Sequence, residues 1–118
     1  MKVAIWLDDF RDPSRLIWRE TIDVFAPEAE QVLWAKSYDE FVDLFPKVTQ
    51  EHDLVAVFFD NDLGGGAGKD GRHAFNWMEA YIHEHNLKSF TLYAQTANSS
   101  ARKELHLGFQ ALERFWNL

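Results

Sequence analysis

A chain of 118 residues with 47% hydrophobic and 15% aromatic side chains has apolar surface for a substantial core and room for one domain of ordinary size, residues 1–118. Its formal net charge of −7 argues against a grip on duplex DNA through a broad basic face, while a small phosphorylated ligand stays open if a metal and local Arg or Lys residues counter its charge. The absence of cysteine excludes disulfides and thiolate metal sites, so a metal would be held by oxygen or histidine nitrogen.

Residues 3–7 (Val-Ala-Ile-Trp-Leu) are a short apolar run closed by Asp8 and Asp9, the pattern of a buried parallel strand. Asp12 before Pro13 resembles an N-cap with proline at the first helical position. A helix through Trp18 to Phe25 is therefore predicted, although Thr21, Ile22, Val24 and Phe25 also suit an extended segment. Residues 31–35 read as the second strand. Ser37 and Glu40 have capping-box spacing and open a helix with Phe41, Leu44 and Phe45 inward, which Pro46 ends or kinks. Residues 54–59 are the third strand, closed by Asp60, Asn61 and Asp62. The glycine-rich stretch 64–71 lacks P-loop spacing, with Asp70 where a P-loop has Ser or Thr, and reads as a flexible lid. Its amides, with Lys69 or Arg72, either contact a phosphate or simply connect two elements. Ala74, Trp77, Met78, Tyr81 and Ile82 recur at helical spacing, and residues 89–93 supply a fourth strand. Asn98, Ser99 or Ser100 then caps a last helix with an apolar stripe of Ala101, Leu105, Phe109, Leu112 and Trp116. No run approaches a membrane span of roughly 18 apolar residues, and the N-terminus enters a strand without a basic, signal-like preamble; a soluble cytoplasmic protein is expected.

These elements make an α/β fold, a doubly wound parallel sheet of four strands in the order 2-1-3-4 if the crossovers are right-handed and the first strand lies beside the third. Ligands of such sheets bind outside the strand carboxyl ends, where strand order reverses, so the two aspartate clusters are expected to meet there. Strands about 4.8 Å apart bring ionised carboxylates into strong repulsion unless a cation or shared proton offsets it. A divalent metal resolves this most simply, and oxygen donors suit Mg²⁺ or Mn²⁺. The bland alternative is that the acids merely cap loops. Arg11 either pairs with the acids or meets a ligand phosphate. Thr96 and Asn98 either face the crevice or form a turn and a helix cap. Arg102, poorly placed for the helix dipole, either contacts an anion or decorates the surface. His73, His83, His85 and His106 show no metal spacing with the aspartates and default to surface or packing roles.

The motif Leu7-Asp8-Asp9-Phe10-Arg11-Asp12-Pro13 resembles the LDDxRxP opening of the cyclic-phosphate processing receiver domains, a phage and bacterial offshoot of the response-regulator receiver fold. Residues 59–64 are similar to that family's DHDLG segment and residues 95–102 to its HSANPxGR segment, in the same order along nearly the whole chain. The resemblance implies a small receiver-like, flavodoxin-like fold, here without the fifth strand, and the processing of a cyclic phosphate. Asn61 and Gln95 stand where the family has histidines, replacing titratable rings by amides.

Three function classes follow. In the first, a metal-dependent hydrolase acts on a cyclic phosphate: an RNA 2′,3′-cyclic end, a small cyclic nucleotide or an ADP-ribose cyclic phosphate. Asp8, Asp9 and Asp60 hold the metal, Asp60 and Asp62 are the catalytic acids, and Arg11, Asn61, Lys69, Gln95, Thr96, Asn98 and Arg102 contact substrate. In the second, a binding module captures such a ligand unchanged, as the two missing histidines favour. In the third, a signalling receiver is phosphorylated on Asp60; the receiver lysine after a fifth strand has no counterpart, because Lys88 precedes strand four and Lys103 lies in the final helix.

Overall fold

The computed structural model describes residues 1–63 and 68–118. The elements run β1 (Lys2–Leu7), α1 (Leu16–Phe25), β2 (Gln31–Ala35), α2 (Tyr38–Glu51), β3 (Asp53–Phe59), α3 (Gly71–His85), β4 (Thr91–Ala94) and α4 (Ser99–Phe115). The four strands form one parallel sheet in the order β2-β1-β3-β4, as the alternation of apolar runs and amphipathic stretches predicts. No fifth strand occurs among the described residues, and no helix among them is long and apolar enough to cross a membrane.

Alternation along β1 sends its side chains into two cores. Val3, Ile5 and Leu7 join Phe41, Phe45, Met78, Ile82, Leu105, Phe109 and Leu112 beneath α2, α3 and α4. Ala4 and Trp6 join Ile22, Ala26, Ala56 and Phe58 beneath α1. One face of the sheet is thus covered by three helices and the other by one.

Register aligns the strand ends. Leu7 lies beside both Ala35 and Phe59, and Phe59 lies beside Ala94. The ladder continues one step further, with the Asp8 amide donating to the Ala35 carbonyl, Asp60 to Leu7 and Gln95 to Phe59. A register shift between Val3 and Ala4 adds one residue to β3, since Val3 pairs with Leu54 but Ala4 with Ala56. Had the Val3–Leu54 register continued without the shift, Asp8 would align with Phe59. The bulge therefore brings Asp60 beside Asp8.

Three local expectations change. Asp12 does not cap α1, which starts at Leu16 with Arg15 as N-cap and no side-chain cap; the Asp12 carboxylate instead accepts the Ser14 amide and hydroxyl at 2.9 and 2.7 Å. A local turn satisfies an Asp as readily as a helix end does. Ser37 does cap α2, accepting the Glu40 amide at 3.1 Å, but Glu40 reaches back to the Lys36 amide rather than to that of Ser37. Pro46 does not end α2, which continues to Glu51. A proline there leaves the Val42 carbonyl without its helical donor and costs ~3 kcal/mol. Phe45, fully buried against Phe41, Trp77, Tyr81 and Phe90, holds the turn in place. Residues 64–67 of the expected lid lie outside the described residues, while Gly71 and Asp70 belong to α3 as its first residue and its cap.

Candidate active site

The crevice at the strand carboxyl ends is built on Asp8. Its side chain is fully buried, with Oδ1 accepting the amides of Phe10 (3.0 Å) and Arg11 (2.8 Å) and Oδ2 accepting Arg11 Nη1 at 3.2 Å. The segment after β1 therefore curls around its own first carboxylate. Trp6 Nε1 donates to the Arg11 carbonyl at 2.9 Å and Trp34 Nε1 to the Asp8 carbonyl at 2.7 Å, so two tryptophans of the sheet hold the curl from below.

Asp60 is 5% exposed and lies across from Asp8, its Oδ1 3.6 Å from Arg11 Nη1 and accepting the Asn61 amide at 2.9 Å. Burial, joined by the neighbouring charge of Asp8, pushes its carboxyl up to about 6; Arg11 and the Asn61 amide pull the other way. Asp9 is exposed. Each of Asp8, Asp9 and Asp60 offers a carboxylate oxygen such that all three lie within 4.8 Å of one another. The donor set fits a hard, oxygen-preferring dication that retains waters: three carboxylates converge, two anchored and one facing solvent, and a single guanidinium offsets part of their charge.

Above the cluster opens a cleft of about 820 Å³ lined by Asp8, Asp9, Arg11, Asp60, Asp62 and Ala97, and along its α1 side by Phe10, Asp12, Arg15, Ile17 and Trp18. Arg11 is held from a third direction, its guanidinium carbon 5.2 Å from the centre of the Trp18 ring. Asp12 keeps its carboxyl below the usual range through the Ser14 amide and hydroxyl.

The structure brings Asp8, Asp9, Arg11, Asp60 and Asp62 to this one cleft and gives the other expected site residues different contacts. Asn61 is buried, donating from Nδ2 to Asp62 Oδ1 at 3.3 Å. Gln95 Nε2 donates to the Leu7 carbonyl at 3.1 Å. Among the described residues Asn61 Oδ1 and Gln95 Oε1 are buried acceptors with no hydrogen-bond partner. Thr96 is fully buried and its hydroxyl accepts the Asn98 amide at 3.1 Å, while Asn98 Oδ1 caps α4 by accepting the Ala101 amide at 3.0 Å. Arg102 Nη2 donates to the Thr96 carbonyl at 2.6 Å, tying α4 to the end of β4. Lys69 places its ammonium 4.4 Å from the centre of the Tyr38 ring. Arg72 pairs with Asp70 and Glu104. His73 lies on the surface and completes the α3 capping box, its Nδ1 accepting the Asp70 amide.

Phe10, Arg15, Ile17 and Trp18 line the cleft without having been singled out in the sequence. Apolar residues default to the core when read from sequence, whereas Phe10 and Ile17 are exposed and Trp18 is only partly buried.

A model of the cyclic-phosphate processing receiver domain matches residues 3–111. The chain belongs to that family. No curated protein and no solved structure matches it. For a cyclic-phosphate processing receiver domain the four-stranded sheet, its order and the acidic cleft at the strand carboxyl ends form one consistent picture, and a role in cyclic-phosphate processing follows at that level.

Proposed function

We propose that this receiver domain hydrolyses a cyclic phosphate, small or at an RNA end, in the cleft above Asp8, Asp9 and Asp60. The observation that carries the reading is the convergence of those three carboxylates within 4.8 Å, from two strand ends, with Asp8 and Asp60 paired to one guanidinium. Asp8, Asp9 and Asp60 would hold Mg²⁺ or Mn²⁺, which supplies charge neutralisation and Lewis acidity to the phosphoryl group. Arg11, fixed by Asp8 and Trp18, orients a phosphoryl oxygen by a charge-assisted hydrogen bond. Asp62, exposed on the cleft wall, accepts the proton of the attacking water as its oxygen bonds to phosphorus. The ring P–O bond breaks, and the departing alkoxide takes the proton back, leaving a phosphate monoester and a free hydroxyl.

Capture without turnover is the second reading, and it rests on Asn61 and Gln95. Both amides stand where the resemblance expects histidine, and each leaves a buried oxygen unpartnered, able to accept a hydrogen bond and unable to pass on a proton. A panel of cyclic phosphates followed by mass spectrometry in Mg²⁺ or Mn²⁺ separates the two. Product is expected from the wild-type chain, with Asp62→Ala lowering turnover by about 10²–10⁴ while binding persists. Product from Asn61→His plus Gln95→His but not from wild type would replace hydrolysis by capture.

A further inference from the structure

We infer that the cyclic phosphate enters as part of a small nucleotide whose base lies against a wall made by Phe10, Ile17 and Trp18; this rests on the cyclic-phosphate reading of the same cleft. Phe10 is 86% exposed and Ile17 63% exposed, so neither ring nor side chain contributes much to the cores, yet both line the cleft that holds the acids. The Phe10 amide donates to Asp8 Oδ1, which fixes the backbone that carries the ring directly beside the acidic cluster. Trp18 is braced by Trp6, at 6.1 Å between ring centroids, and by the Arg11 guanidinium. The cleft therefore has two chemically different parts: an acidic floor with Arg11 at one end, and an aromatic and aliphatic side wall with Arg15 at its rim.

A phosphate and its sugar use the floor. They give no reason for the wall, because both are strongly hydrated. A planar, uncharged base does, since stacking on aromatic side chains accepts any base and is worth about 1–3 kcal/mol per base. The cleft volume of about 820 Å³ falls in the range of sites that enclose a whole small ligand, roughly 300–1,000 Å³. Net charge argues for a short ligand: at −7, every further phosphate of a longer strand meets added repulsion.

The test compares adenosine 2′,3′-cyclic monophosphate with methyl riboside 2′,3′-cyclic phosphate, which keeps the cyclic phosphate and lacks the base. Binding is measured by calorimetry in Mg²⁺ on wild-type protein and on Asp62→Ala, in which turnover is slowed enough not to disturb the titration. The adenosine ligand is expected to bind at least about tenfold tighter, Phe10→Ala to close most of that gap and Phe10→Trp to restore it. Equal affinity for the two ligands, or a gap untouched by Phe10→Ala, overturns the base wall and leaves the cyclic-phosphate reading standing. Failure of both ligands, and of an RNA decamer ending in a 2′,3′-cyclic phosphate, to bind either protein overturns both readings. An RNA decamer ending in a 2′,3′-cyclic phosphate that binds more tightly than the mononucleotide overturns the short-ligand assignment.

Discussion

Asp8 and Asp60 face each other as chemically identical groups in different circumstances. Asp8 is anchored by two amides and a guanidinium, so its negative charge is part of the fold, and an amide in its place would turn an NH₂ toward Arg11 or give up an acceptor. Asp60 is buried with less compensation, and its carboxyl is raised to about 6. Because the folded protein holds that proton more tightly than the unfolded chain, the contribution of Asp60 is fully present below its ordinary value of 3.8 and is lost as pH rises through about 6. Metal-free protein should accordingly be less stable at pH 7 than at pH 5, and Asp60→Asn should remove this slope. The variant is expected to melt higher than wild type in chelator at neutral pH, by up to about 3 kcal/mol if the whole shift is expressed and by less where water and Arg11 screen it. The two proteins should converge near pH 4. Melts in chelator from pH 4 to 8 check this, and a wild-type stability that rises from pH 5 to 7 with no difference from the variant would refute it.

At the scale of elements, the parts legible in the sequence were those with a repeating physical signature. Parallel strands buried on both faces leave continuous apolar runs, so β1 and β3 and the acids closing them stand out directly. The helices α3 and α4 are equally plain from their spacing, and Asn98, Ser99 and Ser100 mark the start of α4, which Asn98 caps. What could not be read depends on choices between equivalent local bonds: Asp12 serving a turn instead of a helix, Arg102 reaching the Thr96 carbonyl, Lys69 lying over Tyr38. Phe10 and Ile17 were hidden for the opposite reason, since nothing in an apolar residue announces exposure. The glycine-rich stretch holds a further distinction. Gly71 opens α3 with its amide donating to the Asn61 carbonyl, and a Cβ there would fall inside contact distance of the Asp60 carbonyl and the Asn61 backbone. Gly68, at φ +65°, has open space around it. Gly71→Ala should therefore push α3 away from the end of β3, destabilising the protein by about 2 kcal/mol or more and weakening divalent binding; Gly68→Ala should cost about 1–2 kcal/mol for the left-handed backbone alone. Denaturant melts paired with metal titrations separate the two, and a metal response unchanged in a folded Gly71→Ala protein would detach α3 from the site.

The whole molecule places its site by sheet register. One extra residue in β3 aligns Asp60 with Asp8, and the short curl after β1 adds Asp9, so three carboxylates from two distant parts of the chain share one small volume. Their repulsion is present in the folded state and relaxed in the unfolded chain, where the groups separate. A divalent cation that binds only the folded arrangement should consequently raise the melting temperature by mass action, by about 2.7 kcal/mol when present at 100 times its dissociation constant. Asp9→Asn gives the sharpest variant because Asp9 is exposed and, among the described residues, no hydrogen bond or ion pair uses its side chain: in chelator it should melt at or slightly above wild type, the carboxylate repulsion being relieved, yet lose most of the response to millimolar Mg²⁺ or Mn²⁺. The response should also fade below about pH 6, where the proton held by Asp60 competes with the cation. Calorimetry showing no saturable divalent binding at pH 7.5, with or without phosphate, would remove the metal from the proposed mechanism. A response kept in full by Asp9→Asn would instead move the cation to Asp8 and Asp60 alone.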